Sequence, residues 1–269
     1  MPTKGARRQS PVHLDHRHLR ASATWGRTQF MTGPERGLLA DRERWLLSLR
    51  RTNEMQEDEL DPTFDEQWGE ISETHRGFVE SFLSSLPPGG TVLDAACGTG
   101  KYFGMVLASG RTVVGADQSG GHLVTARSKH PGARVEKHDL QDLSYWSEFD
   151  GVVCVDAMEF VPPEDWPEVL GRFRDALRPE GHLYLTVELV PAEKVRALNR
   201  QARGWGLPVV EGEVIWDGPD GYYHYYPPLP RVRAWIGEAG FAIDDELEGR
   251  WDEGYAYHHL LAHVALPSV

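Results

Sequence analysis

The stretch VLDAACGTGKYFGMVLASGRTVVGADQS, from Val92 to Ser119, decides the fold. An apolar run enters a glycine loop, the loop opens into a helix-like run, and a second apolar run ends in Asp117. Glycines at positions 98 and 100 let the backbone approach a ligand closely, and the helix that follows offers its N-terminal N–H groups. An acid about 20 residues beyond the loop, at the end of the second strand, can accept hydrogen bonds from both hydroxyls of a ribose. The arrangement therefore suits an adenosine, and the question is which one.

A nucleotide phosphate is excluded at once, because the G-x-x-x-x-G-K-[ST] spacing is missing. A dinucleotide needs a third glycine for close helix–strand packing around its pyrophosphate, and Phe103 stands at that position. The third apolar run, in RVEKHDLQDL, places Asp139 at its carboxyl end beside the same crevice, where a carboxylate can accept from the adenine amino group and the Leu140 N–H can face the ring. Asp94 adds a further acid near the ligand. Carboxylates repel a pyrophosphate but tolerate a cation, so S-adenosylmethionine (SAM), with its ammonium and sulfonium, fits best.

Outward from this core, strand-like segments at 91–95, 112–116, 133–137, 151–155 and 182–187 alternate with helix-like segments at 101–108, 121–129 and 164–177. That alternation predicts right-handed βαβ units and a parallel sheet covered on both faces. DGVVCV and HLYLTV are continuously apolar, as strands buried on both faces must be. Ahead of the core, 36–60 and 72–86 read as helices, the second with Ser72 as its cap. After it come a helix at 192–202, a Gly/Pro/Tyr-rich region to Pro230, a helix at 231–239, and two strands at 242–247 and 255–264 with no helix between them. A terminal antiparallel hairpin is the expected consequence. The composition of residues 1–35, rich in Arg and His without apolar periodicity, predicts a disordered tail. Met31 is an alternative start, and Arg7-Arg8 lacks the apolar stretch an export signal needs.

The formal net charge is −13 in 269 residues. Such a surface disfavours phosphate backbones, so no nucleic-acid partner is expected. No apolar run reaches membrane-spanning length, so no membrane partner is expected either. Two cysteines inside apolar segments, Cys97 and Cys154, point to a reducing, cytoplasmic location and away from a disulfide scaffold or zinc site.

Taken together, VLDAACGTGKY, VVGADQS, HDLQDL, FDGVVCVDAMEFV and LRPEGHLYLTV, in this order, resemble the motifs of class I SAM-dependent methyltransferases of the small-molecule type. The resemblance covers roughly Phe78 to Val187 and the terminal hairpin. It implies a Rossmann-like α/β fold with a seven-stranded, mostly parallel sheet, and one methyltransferase domain over 36–269. It also implies that Gly98 and Gly100 line the methionine end, that Asp117 and Gln118 take the ribose side, that Asp139 and Leu140 hold adenine, and that Asp156 with Ala157 floors the pocket. Residues 36–70 resemble a lid, with Phe64 and Trp68 as its apolar contacts. Many small-molecule members carry a histidine or polar residue after the fourth strand. Here Met158-Glu159-Phe160 stands there, so no base is assigned to it, and Met158 is read as an acceptor contact.

Methyl transfer from a sulfonium is an in-line displacement that needs a base only if the acceptor must lose a proton. The acceptor site is therefore sought in the variable cap, 191–230. Its DGYYHYYPPLP offers Tyr222, Tyr225 and Tyr226 as aromatic walls and His224 as a base titrating near neutral pH. Glu188, ending the fifth strand on the ligand side, is the second candidate base. His258 and His259 are adjacent in one strand, so they point to opposite faces and are read as structural. The reading is a methyltransferase, monomeric or homodimeric, acting without metal on a planar phenol- or indole-like small molecule. The abundance of Arg, Gly, Pro and Trp suits a GC-rich genome and secondary metabolism. A protein or nucleic-acid methyltransferase and a non-catalytic SAM-fold binding protein are the alternatives.

Overall fold

Five parallel strands form where the apolar runs fall. The computed structural model describes residues 42–58, 64–249 and 256–265, and the tail expected over 1–35 lies outside them. Strand β1 (Thr91–Ala95) pairs with β2 (Thr112–Asp117) on one side and β4 (Phe149–Cys154) on the other, all parallel. Beyond β2 lies β3 (Arg134–Lys137), and beyond β4 lies β5 (Leu177–Leu189). The expected terminal hairpin, β8 (Phe241–Glu248) and β9 (Ala256–Val264), completes the sheet antiparallel, with β9 between β5 and β8. The order is β3-β2-β1-β4-β5-β9-β8. Strand order reverses between β1 and β4, and a ligand crevice opens at the carboxyl ends of strands at such a switch point.

Eight helices accompany the sheet among the described residues: α1 (Arg42–Asp58), α2 (Phe64–Trp68), α3 (Glu73–Ser85), α4 (Phe103–Ala108), α5 (Gly120–Lys129), α6 (Trp166–Ala176), α7 (Ala192–Gly204) and α8 (Leu229–Glu238). Ser72 caps α3 as its sequence context predicts, its Oγ accepting from His75 N at 3.3 Å. Ser119 does the same for α5, accepting from His122 N at 3.1 Å. Each cap satisfies one N–H that the helix leaves orphaned.

Phe103 explains why the third glycine is dispensable here. Its fully buried ring lies against β2 at Gly115, where an added Cβ would overlap Phe103 Cζ and come within 2.7 Å of Cys97 Sγ. The small residue has moved from the helix to the strand, and helix–sheet contact is kept by a ring filling the gap.

The cap, read from sequence as a Gly/Pro/Tyr-rich region, contains two short strands. Within it β6 (Glu213–Ile215) and β7 (Tyr223–Tyr225) form a two-stranded antiparallel hairpin, with Val214 opposite His224. Strand alternation then splits the tyrosine run. Tyr223 and Tyr225 enter the large core: Tyr223 lies edge-on to Trp45 at 5.9 Å, and Tyr225 lies 6.4 Å from Trp166 and 6.5 Å from Trp235, ring centroid to centroid. Tyr225 is thus a core residue and not the acceptor wall expected of it. Helix α1 is tied to this hairpin by Arg42, which donates to Glu213 (2.7 and 2.9 Å) and to Glu164 (2.6 and 2.9 Å). The Glu213 side chain is fully buried and also accepts from Tyr223 OH and Val210 N, both at 2.6 Å.

Candidate active site

The glycine loop turns through left-handed backbone at Ala96 (φ 63°), Gly98 (φ 51°) and Gly100 (φ 79°). Asp117 holds the turn. Its Oδ2 accepts from Gly98 N and its Oδ1 from Ser119 N, each at 2.8 Å. One carboxylate therefore ties the loop after β1 to the start of α5, and its remaining lone pairs stay available to a ligand. The two glycines differ in role. At Gly98 a Cβ would meet nothing closer than His122 Nδ1 at 4.0 Å, so this position opens onto the crevice. At Gly100 it would press on Phe103 and His130 at 3.1 and 3.3 Å, so packing and positive φ, rather than a ligand, require glycine there. Gln118, half-buried, follows Asp117 at the rim.

Beneath the loop lies Asp94, buried, with Oδ2 lacking a hydrogen-bond partner among the described residues. Burial, and secondarily the charge of Asp117, push its carboxyl up to about 8. An orphaned acid beside an open glycine position is the kind of group a bound ammonium satisfies. On this count the crevice fits SAM.

On the adenine side, Asp139 Oδ1 accepts from Gln141 N at 3.1 Å, capping the short turn Leu140–Asp142, and Leu140 leans half-buried on the large core. Burial raises the Asp139 carboxyl, against the Gln141 N–H and the charge of Arg50. Arg50 reaches in from α1, donating to Asp165 at 2.7 Å. Other groups of the 36–70 segment close on the loop as well. Asp58 accepts from Ser119 Oγ (2.9 Å) and Gly121 N (3.2 Å), and Asp65 accepts from Thr99 Oγ1 (2.5 Å) and Lys129 Nζ (2.9 Å). Phe64 contacts the His122 ring at 5.0 Å, whereas Trp68 sits at the surface. Asp58, Asp65 and Arg50 had no motif to mark them, because lid contacts are made by chain segments far apart in sequence.

The third part of the site lies at the ends of β4 and β5. Asp156 takes a left-handed conformation (φ 54°), with its N–H on Thr186 Oγ1 at 3.0 Å. It is exposed to solvent, with protein close around it. Enclosure raises its carboxyl, against the hydroxyl of Tyr257 and the charge of Lys101. Ala157 is buried next to it. Met158 does not line the site: it is fully buried in the large core. Its neighbour Glu159 faces the other acids instead. Burial first, then the charges of Glu188 and Asp156, hold the Glu159 carboxyl well above the usual carboxylate range.

The two bases read from sequence meet here. His224 Nδ1 lies 3.5 Å from Glu188 Oε2 and 2.7 Å from Tyr226 OH. Tyr226 accepts from Trp216 Nε1 at 3.1 Å. Phe160 stands edge-on to His224 at 4.8 Å. Tyr222 contributes backbone, its carbonyl accepting from Trp216 N at 2.8 Å. His258 and His259 lie apart from this group: His258 pairs with Glu246 at 2.8 Å, while His259 meets Tyr184 OH at 2.9 Å and stacks on Phe78. No cluster of metal-ligating side chains occurs among the described residues.

A family model described as a methyltransferase domain matches residues 92–181, which span β1 into β5. Over these residues the chain carries a methyltransferase domain, and its fold is that of the class I SAM-dependent methyltransferases. Among solved structures it is similar to a SAM-dependent methyltransferase of Methanosarcina mazei (TM-score 0.61, 17% identity, 74% of this chain and 100% of that one). It is also similar to a Burkholderia thailandensis 1,6-didemethyltoxoflavin-N1-methyltransferase with S-adenosylhomocysteine bound (TM-score 0.55, 16% identity, 88% and 92%). A tRNA (carboxymethyluridine(34)-5-O)-methyltransferase of Arabidopsis thaliana is 28% identical over 157 residues, 58% of this chain. The match takes in only 36% of that relative's length. SAM is the cofactor that the methyltransferase domain implies, and no described helix is long and apolar enough to cross a membrane.

Proposed function

We propose that this methyltransferase alkylates a small, planar, phenol- or indole-like acceptor held at the ends of β4 and β5 under the β6–β7 hairpin. The observation that carries this reading is the approach of His224 Nδ1 to Glu188 Oε2, at 3.5 Å, beside Phe160, Trp216 and Tyr226. A base held by a carboxylate and walled by rings suits an aromatic acceptor that must shed an O–H or N–H proton. The charge of −13 favours a small molecule over tRNA.

When bound, SAM supplies an electrophilic methyl group on a positive sulfur. The chain does the rest. Asp117 holds the ribose hydroxyls and Asp139 the adenine edge, while Asp94 offers its free oxygen to the ammonium. With Nδ1 of His224 engaged by Tyr226 and Glu188, Nε2 is the nitrogen left to take the acceptor's proton, and Glu188 stabilises the resulting imidazolium. The lid formed by α1 and α2 excludes water.

The test is methyl transfer from isotope-labelled SAM to a panel of phenols and indoles, with bulk tRNA as the competing acceptor. His224→Ala and Glu188→Gln should each lower turnover about 10²–10⁴-fold with S-adenosylhomocysteine affinity retained. Label appearing in tRNA and in none of the small molecules would overturn the reading.

A further inference from the structure

Three carboxylates crowd the floor of the acceptor side. Glu159 retains 7% of its surface, and its Oε2 has no hydrogen-bond partner among the described residues. The Glu188 side chain retains 11% and meets His224. Asp156, exposed at the end of β4, lies near enough for its charge to act on Glu159. The described cation that opposes them is Lys101, and it acts on Asp156. A buried carboxylate with an unsatisfied oxygen, as at Glu159, is costly, and the fold has no need of one beside two further acids for its own stability. Burial and mutual repulsion hold Glu159 and Asp156 above the usual range, so an incoming cation would recover part of that cost. The rings beside them suit the same guest. Phe160 and Trp216 flank the position of His224, and Trp216 already takes the Lys194 ammonium on its ring at 4.7 Å from the centroid.

We infer that the acceptor is an amine, seated by its ammonium between Glu159 and Glu188 and methylated on that nitrogen. This rests on the methyltransferase reading above and goes beyond its acceptor: the planar body is kept, and a basic nitrogen at its end, in place of a ring O–H or N–H, is the group methylated. The step balances. The ammonium gives one proton to the Glu188–His224 pair and becomes a neutral amine. Its lone pair forms the N–CH3 bond as the sulfur–methyl bond breaks and the sulfonium becomes a neutral thioether. The nitrogen ends as a methylated ammonium.

The experiment is calorimetric titration of the whole protein, first with S-adenosylhomocysteine and then, with that compound saturating, with two matched pairs: tryptamine against tryptophol, and tyramine against tyrosol. In each pair only the terminal amine is exchanged for a hydroxyl. The amines should bind about 10- to 100-fold more tightly than the alcohols, the worth of a hydrogen bond to a charged group. Glu159→Gln should erase that preference while S-adenosylhomocysteine still binds, which also shows that the variant folds. If Glu159→Gln does not fold, Glu188→Gln serves in its place. Equal binding within each pair, tighter binding of the alcohols, or no binding of either amine at millimolar concentration overturns the inference. So does a Glu159→Gln variant that loses affinity for SAM but not for S-adenosylhomocysteine, because the acids would then serve the sulfonium. Failure of the wild-type protein to bind S-adenosylhomocysteine would sink the methyltransferase reading itself, a result separate from all of these.

Discussion

Asp117→Asn tests the centre of the cofactor crevice. The native carboxylate accepts from Gly98 N and Ser119 N through different oxygens, both at 2.8 Å. An asparagine has one acceptor oxygen, so one of the two N–H groups must face an amide NH2. Losing a hydrogen bond to a charged group and leaving a buried N–H unpaired each cost about 1–3 kcal/mol. A part returns through Asp94, whose carboxyl is raised in part by the charge of Asp117 and ionises more easily without it. The expected net loss is about 2 kcal/mol, and Tm should fall by roughly 4–8 °C for a domain of this size. The ribose contact is lost on top of this, so S-adenosylhomocysteine should bind about 10- to 100-fold more weakly. Thermal unfolding with and without ligand, together with titration calorimetry, separates the two effects. An Asn variant with wild-type Tm and wild-type affinity would refute both the loop-anchoring role and the placement of the ribose.

Gly115→Ala should cost about 1–3 kcal/mol by overpacking Phe103, and Phe103→Leu in the same chain should restore part of it; additive losses in urea unfolding would contradict the contact. Tyr225→Ala should destabilise by about 3–5 kcal/mol, as truncation of a buried aromatic does, while leaving the acceptor KM of the surviving folded enzyme unchanged; a raised KM at full stability would return Tyr225 to the acceptor wall. Burial raises the Asp94 carboxyl from its ordinary 3.8 to about 8 in the fold, so between these limits the folded state binds the extra proton. Stability should therefore fall as pH rises from about 4 to 8, and Asp94→Asn should make Tm less dependent on pH in that window. An unchanged slope would show that Asp94 ionises normally in the fold.

The core of the fold was legible because its signals are local. Buried parallel strands are written as unbroken apolar runs, and β1 falls on the expected 91–95. The terminal hairpin was visible as two strands with no helix between them. Asp117 could be placed because strand geometry fixes an acid at that end. The acceptor side was harder. Its strands are three residues long, and a run of four tyrosines around one histidine carries no hydrophobic contrast to show which ring faces inward. Only the hairpin register separates Tyr223 and Tyr225 from His224 and Tyr226. The turn after β4 misled in the same way: Met158 looks like a contact and is core, while Glu159, given no role from sequence, is buried among acids. Residues at the lid, such as Arg42, Arg50, Asp58 and Asp65, become meaningful only through partners up to 171 positions away.

The tie between Arg42 and Glu213 has a consequence for the order of events. Helix α1 roofs the cofactor crevice through Arg50 and Asp58, and its first residue is bonded to the hairpin that carries His224. Any displacement of α1 would strip Glu213, fully buried, of its guanidinium partner, and an uncompensated buried charge is expensive. Helix and hairpin would therefore shift together, and linkage would make any benefit mutual: whatever factor a ligand beside α1 added to affinity at the hairpin, a ligand at the hairpin would return.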